Sequence, residues 1–267
     1  MKANWKIALM CVAMLASISC EKKNGGQGGG GEEPDGYVNP INVKDKSIAD
    51  WDALNPEKVA KATLTDDPLL LAIKELRVYS DGIYLNYLLI VDPAEYQSHS
   101  GHPDGMHIFL DVDNNDETGG YYDLFSDASV DLMLEGPLYD ESGTPIHFRP
   151  NIEKWSGRTG GTPESRITDE TGGEFDWDKS WTRTADEIDG KSQIFEKNGD
   201  LIIEGNLLLE NISDKFTDEG FGIGFDLQQG WSPVGLLPQV NAIGEMGDKI
   251  GRTHTLYVPI DLPEELL

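Results

Sequence analysis

An apolar run, 106–110 (Met-His-Ile-Phe-Leu), empties directly into Asp111, Asp113, Asn115 and Glu117, so oxygen-bearing side chains recur at alternate positions just after a strand-like segment. Side-chain oxygens gathered at that density suit a hard cation, and calcium asks for about six to eight of them. Asp123, Asp127 and Asp131 follow closely enough to complete a shell from the next strand. The run matches only the first half of an EF-hand loop. Its sixth position is Asp116 where that loop needs glycine, its twelfth is Tyr122 where it needs glutamate, and strands rather than helices flank it. A solvated acidic turn, with Asp and Asn capping backbone amides and Thr118-Gly119 making the bend, explains the same residues without an ion.

Outside the first 36 residues the tryptophans are Trp51, Trp155, Trp177, Trp181 and Trp231. Trp51 is expected to plug a core. The other four sit beside Gly, Ser, Asp or Pro, where an indole either anchors a loop or offers a face on which a sugar can stack. His99, His102 and His107 crowd the approach to the acidic run, with Met106 and Met133 nearby, and loop histidines are ordinarily solvated. The sequence contains no Gly-x-Ser-x-Gly elbow, His-Glu-x-x-His helix, phosphate-cradling glycine loop or Cys-x-x-Cys-His haem attachment. Gly230-Trp231-Ser232-Pro233-Val234 lacks the elbow's second glycine. The chain is therefore read as non-enzymatic.

The elements that would position these residues are short. Alternating or apolar runs at 69–79, 83–91, 106–112, 130–134, 146–149, 193–196, 201–209, 222–227 and 253–260 are closed by turn residues, with almost no sustained helical period. Ser80-Asp81-Gly82 and Asn198-Gly199 are hairpin signals. Helix is expected only over 55–62 and 211–216, and 156–190 reads as long connections. The fold class is thus all-β, an antiparallel sandwich with long loops and little helix, formed as one domain by 37–267.

The chain carries 48 acidic against 21 basic residues, a formal charge of -27. That field repels phosphate backbones and attracts cations, which argues against nucleic acid as a partner. At the N-terminus Lys2 and Lys6 precede an apolar stretch too short to span a membrane, and Leu15-Ala16-Ser17-Ile18-Ser19-Cys20 follows. That stretch resembles a bacterial lipobox, which implies a signal peptide over 1–19 and a lipidated Cys20. Cys11 lies inside the signal, so no thiol remains for a disulfide or a zinc site. Residues 20–36, charged and then glycine-rich, read as a flexible tether. They resemble the tethers of surface lipoproteins in the Bacteroidota, which implies the outer face of the outer membrane.

Ile48-Ala49-Asp50-Trp51, a hairpin ending in Ile83-Tyr84-Leu85-Asn86-Tyr87, Ile108 to Asp113 with Asn114-Asn115 and Thr118-Gly119, the run 130–135, and Ile202-Ile203-Glu204-Gly205-Asn206-Leu207 follow one another in order. Together they resemble the family-nine carbohydrate-binding-module superfamily, also called DOMON-like, over most of 40–262. The resemblance implies a jelly-roll-type sandwich, often with bound calcium, whose members hold saccharides on tryptophans, while some relatives hold haem. The expectation is a surface-anchored, non-catalytic glycan binder. Asp111, Asp113, Asn115, Glu117, Asp123 and Asp131 would brace a calcium ion, and Trp155, Trp177, Trp181 and Trp231 would offer the binding surface. The alternatives are a structural or accessory outer-membrane lipoprotein serving a transporter, and a haem domain using methionine and histidine.

Overall fold

A computed structural model describes residues 37–66, 68, 70–97, 105–115, 118–120, 129–157, 180–230, 232–239 and 255–263. The segments expected to be signal and tether, with Cys20, lie outside them, as do His99, His102, Glu117, Asp123, Trp177 and Trp231. Two antiparallel sheets face each other. The first has the order β1 (Ala60–Thr63), β2 (Ile73–Ser80), β3 (Tyr84–Val91), β9 (Asp200–Leu208), β8 (Gly190–Lys197). The second runs β11 (Ser232–Leu237), β10 (Gly220–Gln229), β4 (Gly105–Asp111), β5 (Leu132–Pro137), β6 (Asn151–Trp155), β7 (Trp181–Ala185). A last strand, β12 (Leu256–Pro259), shares the free edge of β10 with β11, taking Gly220 to Ile223 while β11 takes Phe225 to Gln229.

Period-two alternation decides which side chains meet between the sheets, because successive residues of a strand point to opposite faces. Leu85, Tyr87, Leu89 and Val91 of β3 pack with Met106, Ile108 and Leu110 of β4 and with Phe221, Ile223, Phe225 and Leu227 of β10. The hairpin turns behave as expected. Asn198 and Gly199 both take positive φ, 55° and 90°, as a two-residue type I′ loop requires. At the β2–β3 turn Asp81 Oδ1 accepts the N–H groups of Ile83 and Tyr84 at 2.9 and 2.7 Å.

Each outer face carries a smaller core. Residues 41–54, which include the one-turn helix α1 (Ala49–Ala53), cross the outer face of the first sheet and bury Ile41, Val43 and Trp51 against Tyr79, Leu88, Phe195 and Ile202. On the second sheet Phe109, Val130, Met133, Trp155, Trp181 and Leu236 form the other cluster.

Several element expectations are corrected. The helix expected over 55–62 is a turn, closed by Lys58 N–H to Asn55 C=O at 2.9 Å, followed by β1, because the edge of β2 offers that segment a full antiparallel ladder. The second short helix, α2, is at Leu209–Ile212 rather than 211–216. The strand expected at 146–149 forms instead as β6, five residues later, and β7 and β11 were not expected at all.

Candidate metal centre

Asp111 is the last residue of β4 and points to the outer face, since its neighbours Leu110 and Val112 face the core. It pairs in register with Gly222 of β10, where an added Cβ would stand 3.1 Å from the Asp111 Cβ, so glycine makes room for the carboxylate. Asp131 precedes β5 and is pinned through its backbone, donating to Leu110 C=O and accepting from Trp155 N–H, both at 2.8 Å. Its Oδ2 accepts the Val112 N–H at 3.0 Å.

Between these two strands Asp113 organises the loop. Its Oδ1 accepts the Asn115 N–H at 3.1 Å and the Thr118 hydroxyl at 2.9 Å. Asn114, in the left-handed region at φ 49°, donates from Nδ2 to Gly220 C=O at 2.5 Å. Gly119 must be glycine. Its φ is 65°, and a Cβ there would run into the Ser129 carbonyl, while the adjacent Gly120 exchanges two backbone hydrogen bonds with Val130. The loop is therefore clipped to β10 on one side and to the approach of β5 on the other.

The outcome is that one carboxylate oxygen from each of Asp111, Asp113 and Asp131 lies within 4.8 Å of the other two. Burial raises the Asp131 pKa, the charges of Asp113 and Asp111 raise it further, and together they carry it to about 7 against the pull of the Val112 N–H and Lys215. Three partly buried like charges repel unless a proton or a cation joins them. All the donors are hard oxygens, so the set fits calcium, supplying three to about six ligands with water or carbonyls for the rest. An ion held here would brace the loop between β4 and β5.

Of the expected ligands, Asp111, Asp113 and Asp131 are brought together. Asn115 is exposed, and its backbone serves the turn, donating to Asp113 and accepting from Thr118. Glu117 and Asp123 lie outside the described residues.

Two of the proposed stacking tryptophans are corrected. Trp155 and Trp181 are directly paired across β6 and β7, are only 5% and 4% exposed, and pack edge to face with ring centroids 5.2 Å apart. They stand on strands, in the outer-face cluster, where a sugar cannot reach their faces. Trp51 is the core plug expected, and its indole donates to Glu204 Oε1 at 2.6 Å.

His107 is 4% exposed, with Nδ1 3.0 Å from Asp226 and Nε2 3.5 Å from Glu135. Burial alone would lower its pKa, but the two carboxylates outweigh it and lift it to about 10. Both ring nitrogens are thus committed to carboxylates, and Met106 lies on the opposite face of the sheet, which removes the geometry a histidine–methionine haem would need from this pair. Neither this network nor Glu204, which is fully buried beneath Trp51, has a local signature in the chain. Alternation alone could have put His107 and Asp226 on outer faces, but not on neighbouring strands.

Set beside models of known protein families and beside curated proteins, the chain matches none.

Proposed function

We propose that this protein is a non-catalytic, surface-tethered β-sandwich that binds glycan and is braced by calcium. The observation that carries the reading is the convergence of Asp111, Asp113 and Asp131 where β4 and β5 leave the sheet. A set of hard oxygens in which burial first, and the neighbouring carboxylates second, push one pKa to about 7 gains most from a divalent ion that takes the place of the proton. The loop it would stiffen lies at a sheet end, where rigid scaffolds present binding surfaces. The two-sheet architecture agrees with the expected binding module, and the Lys2-to-Cys20 sequence with a lipid anchor outside the cell.

Calorimetry with calcium on the mature chain and on Asp113→Ala tests the ion, and a glycan array with and without calcium tests the ligand. Heat in the wild type that vanishes in the variant, together with calcium-dependent glycan capture, supports the reading. No heat in either leaves an acidic turn, and no captured glycan leaves a structural lipoprotein beside a neighbouring membrane protein.

A further inference from the structure

The outer face of the first sheet buries an acid. Arg77, Leu88, Glu204 and Gln193 stand in one row, each in register with the next on β2, β3, β9 and β8, and Glu204 has no exposure at all. Its Oε1 accepts the Trp51 indole N–H at 2.6 Å. Its Oε2 has no partner among the described residues, and nor has the Oε1 of Gln193, directly opposite on β8. Two buried acceptors on paired residues, both short of a donor, are costly. A proton on Oε2 makes one of them a donor and leaves Oε1 to keep the indole, because a protonated carboxyl carries an O–H where a carboxylate can only accept.

The charges around the acid do not replace that proton. Segment 41–54 brings Asp45 and Asp50 toward it, while Asp52 is 2.9 Å from Arg77, and Lys44 and Lys46 are exposed. Arg77, the cation of the row, also holds Glu75 at 2.6 Å. Lys197 approaches from β8, where Lys191 stands in the next row. On β3, burial and then Glu204 itself raise the Tyr87 pKa, so that phenol stays neutral. For Glu204, burial raises the pKa, the Trp51 N–H lowers it, Asp50 and Asp45 raise it again and Lys197 lowers it, for a value of about 7.

What rests on the acid is light. The cluster that Ile41, Val43 and Trp51 form with Tyr79, Leu88, Phe195 and Ile202 is separate from the core between the sheets, and α1 has no side-chain cap. A segment with few buried apolar contacts opens at a fraction of the cost of global unfolding. We propose that 41–54 is a proton-gated flap, closed over the first sheet while Glu204 is the acid and lifted when Glu204 ionises, which bares Trp51 and the apolar plate beneath it. In the lifted form the carboxyl meets water and titrates at ~4.3. An acid that holds its proton more tightly in the closed form favours closure at low pH, so lifting grows as pH climbs from ~4.3 to about 7 and then levels off. The device is independent of the carboxylate centre, which stands on the other sheet.

Hydrogen exchange on the mature chain, followed by NMR and corrected for the intrinsic pH dependence of the rates, tests the flap. Trp51→Phe assigns the Trp51 indole N–H. Between pH 5 and pH 8 the protection of that N–H, and of the Asp52 amide bonded to Ile48, should fall tenfold or more, while the amides of the β4–β10 ladder keep theirs. Glu204→Gln, equal in size and unable to ionise, should hold both level. It retains Asp131, so a response arising at the carboxylate centre would persist in it. Gln193→Leu removes the acceptor for Oε2–H and should be protected several-fold less than the wild type at pH 5, the worth of one hydrogen bond. Level protection in the wild type, an equal fall in Glu204→Gln, or loss of the β4–β10 amides in step with Trp51 overturns the flap. So does a Gln193→Leu protein as well protected at pH 5 as the wild type.

Discussion

Asp131→Asn separates a repelling carboxylate cluster from an ordinary turn. The substitution keeps the size of the side chain and an oxygen to accept the Val112 N–H, so packing is preserved and only charge is removed. In the folded protein Asp131 titrates at about 7, against ~3.9 in an unfolded chain. A carboxyl whose folded pKa is raised binds its proton more tightly in the native state. The native state is therefore favoured at low pH, and that advantage is lost as pH climbs from ~4 to ~7. A shift of about three units corresponds to ~4 kcal/mol, and screening at this partly exposed position reduces it to about 2 kcal/mol. In chelator at pH 8, Asp131→Asn should be about 2 kcal/mol more stable than the wild type, or ~4–8 °C in Tm for a domain of this size. At pH 4 the two should coincide. Calcium at a hundredfold excess over its dissociation constant adds ~2.7 kcal/mol to the wild type and should add little to the variant. Urea unfolding followed by tryptophan fluorescence, at both pH values with chelator or calcium, reads all four quantities. If the variant is the less stable protein in chelator at pH 8, or gains as much from calcium as the wild type, the three carboxylates neither repel nor share an ion.

Other outcomes follow from the same bonds. Glu204, fully buried with Oε2 lacking a partner among the described residues, has its pKa raised by burial to about 7, so its contribution also falls as pH rises from ~4.3 to ~7. Glu204→Gln should flatten that part of the stability profile and gain up to ~3 kcal/mol at pH 8, and a loss of stability there would show that the ionised form is the one the fold wants. His107 behaves with the opposite charge, since its stabilisation is complete below pH ~6.5 and is lost as pH passes about 10. His107→Gln should cost ~3–5 kcal/mol at pH 6 and far less at pH 11 by chemical denaturation, and a cost independent of pH would mean the imidazole acts by shape alone. Trp155→Ala should cost ~3–5 kcal/mol by emptying the outer-face cluster, and Trp155→Phe should leave glycan capture on an array unchanged. Loss of capture in a folded Trp155→Phe protein would return that ring to the binding surface.

The sandwich was legible because burial at every second residue leaves a mark in the chain. The alternation of Leu85, Tyr87 and Leu89, or of Met106, Ile108 and Leu110, states a face without any knowledge of the partner strand. The turns were legible because Asn198-Gly199 and Asp81-Gly82 have few other conformations to adopt. The carboxylate centre was half legible. Asp111 and Asp113 adjoin along the chain, and Asp131 was placed by nearness in sequence, which worked because β4 and β5 are neighbours. The failures share a cause. Trp155 and Trp181 sit beside Ser156 and Ser180, and polar neighbours suggested loops, yet strand pairing sets the two rings against each other. The row from Arg77 to Gln193 joins four strands drawn from residues more than a hundred apart, and no local pattern can announce an acid buried that way. β1 looked helical because 55–62 lacks alternation, and its conformation is dictated by the edge it completes.

The segment crossing the first sheet sets where this molecule can be cut. Tyr37, Asn39 and Trp51 are tied to Asp81, Asn86 and Glu204, residues of or beside β3 and β9. What looks like the tail end of a linker is thus the lid of a hydrophobic core. Trimming the protein to residue 55 would bare Tyr79, Leu88, Phe195 and Ile202 to water together with an uncapped glutamate, and would leave a sticky plate where the intact protein has a finished wall. A pull on the chain ahead of Tyr37 would load this lid through its bonds to Asp81, Asn86 and Glu204, beside and on the inner strands of the sheet rather than on its edge strands.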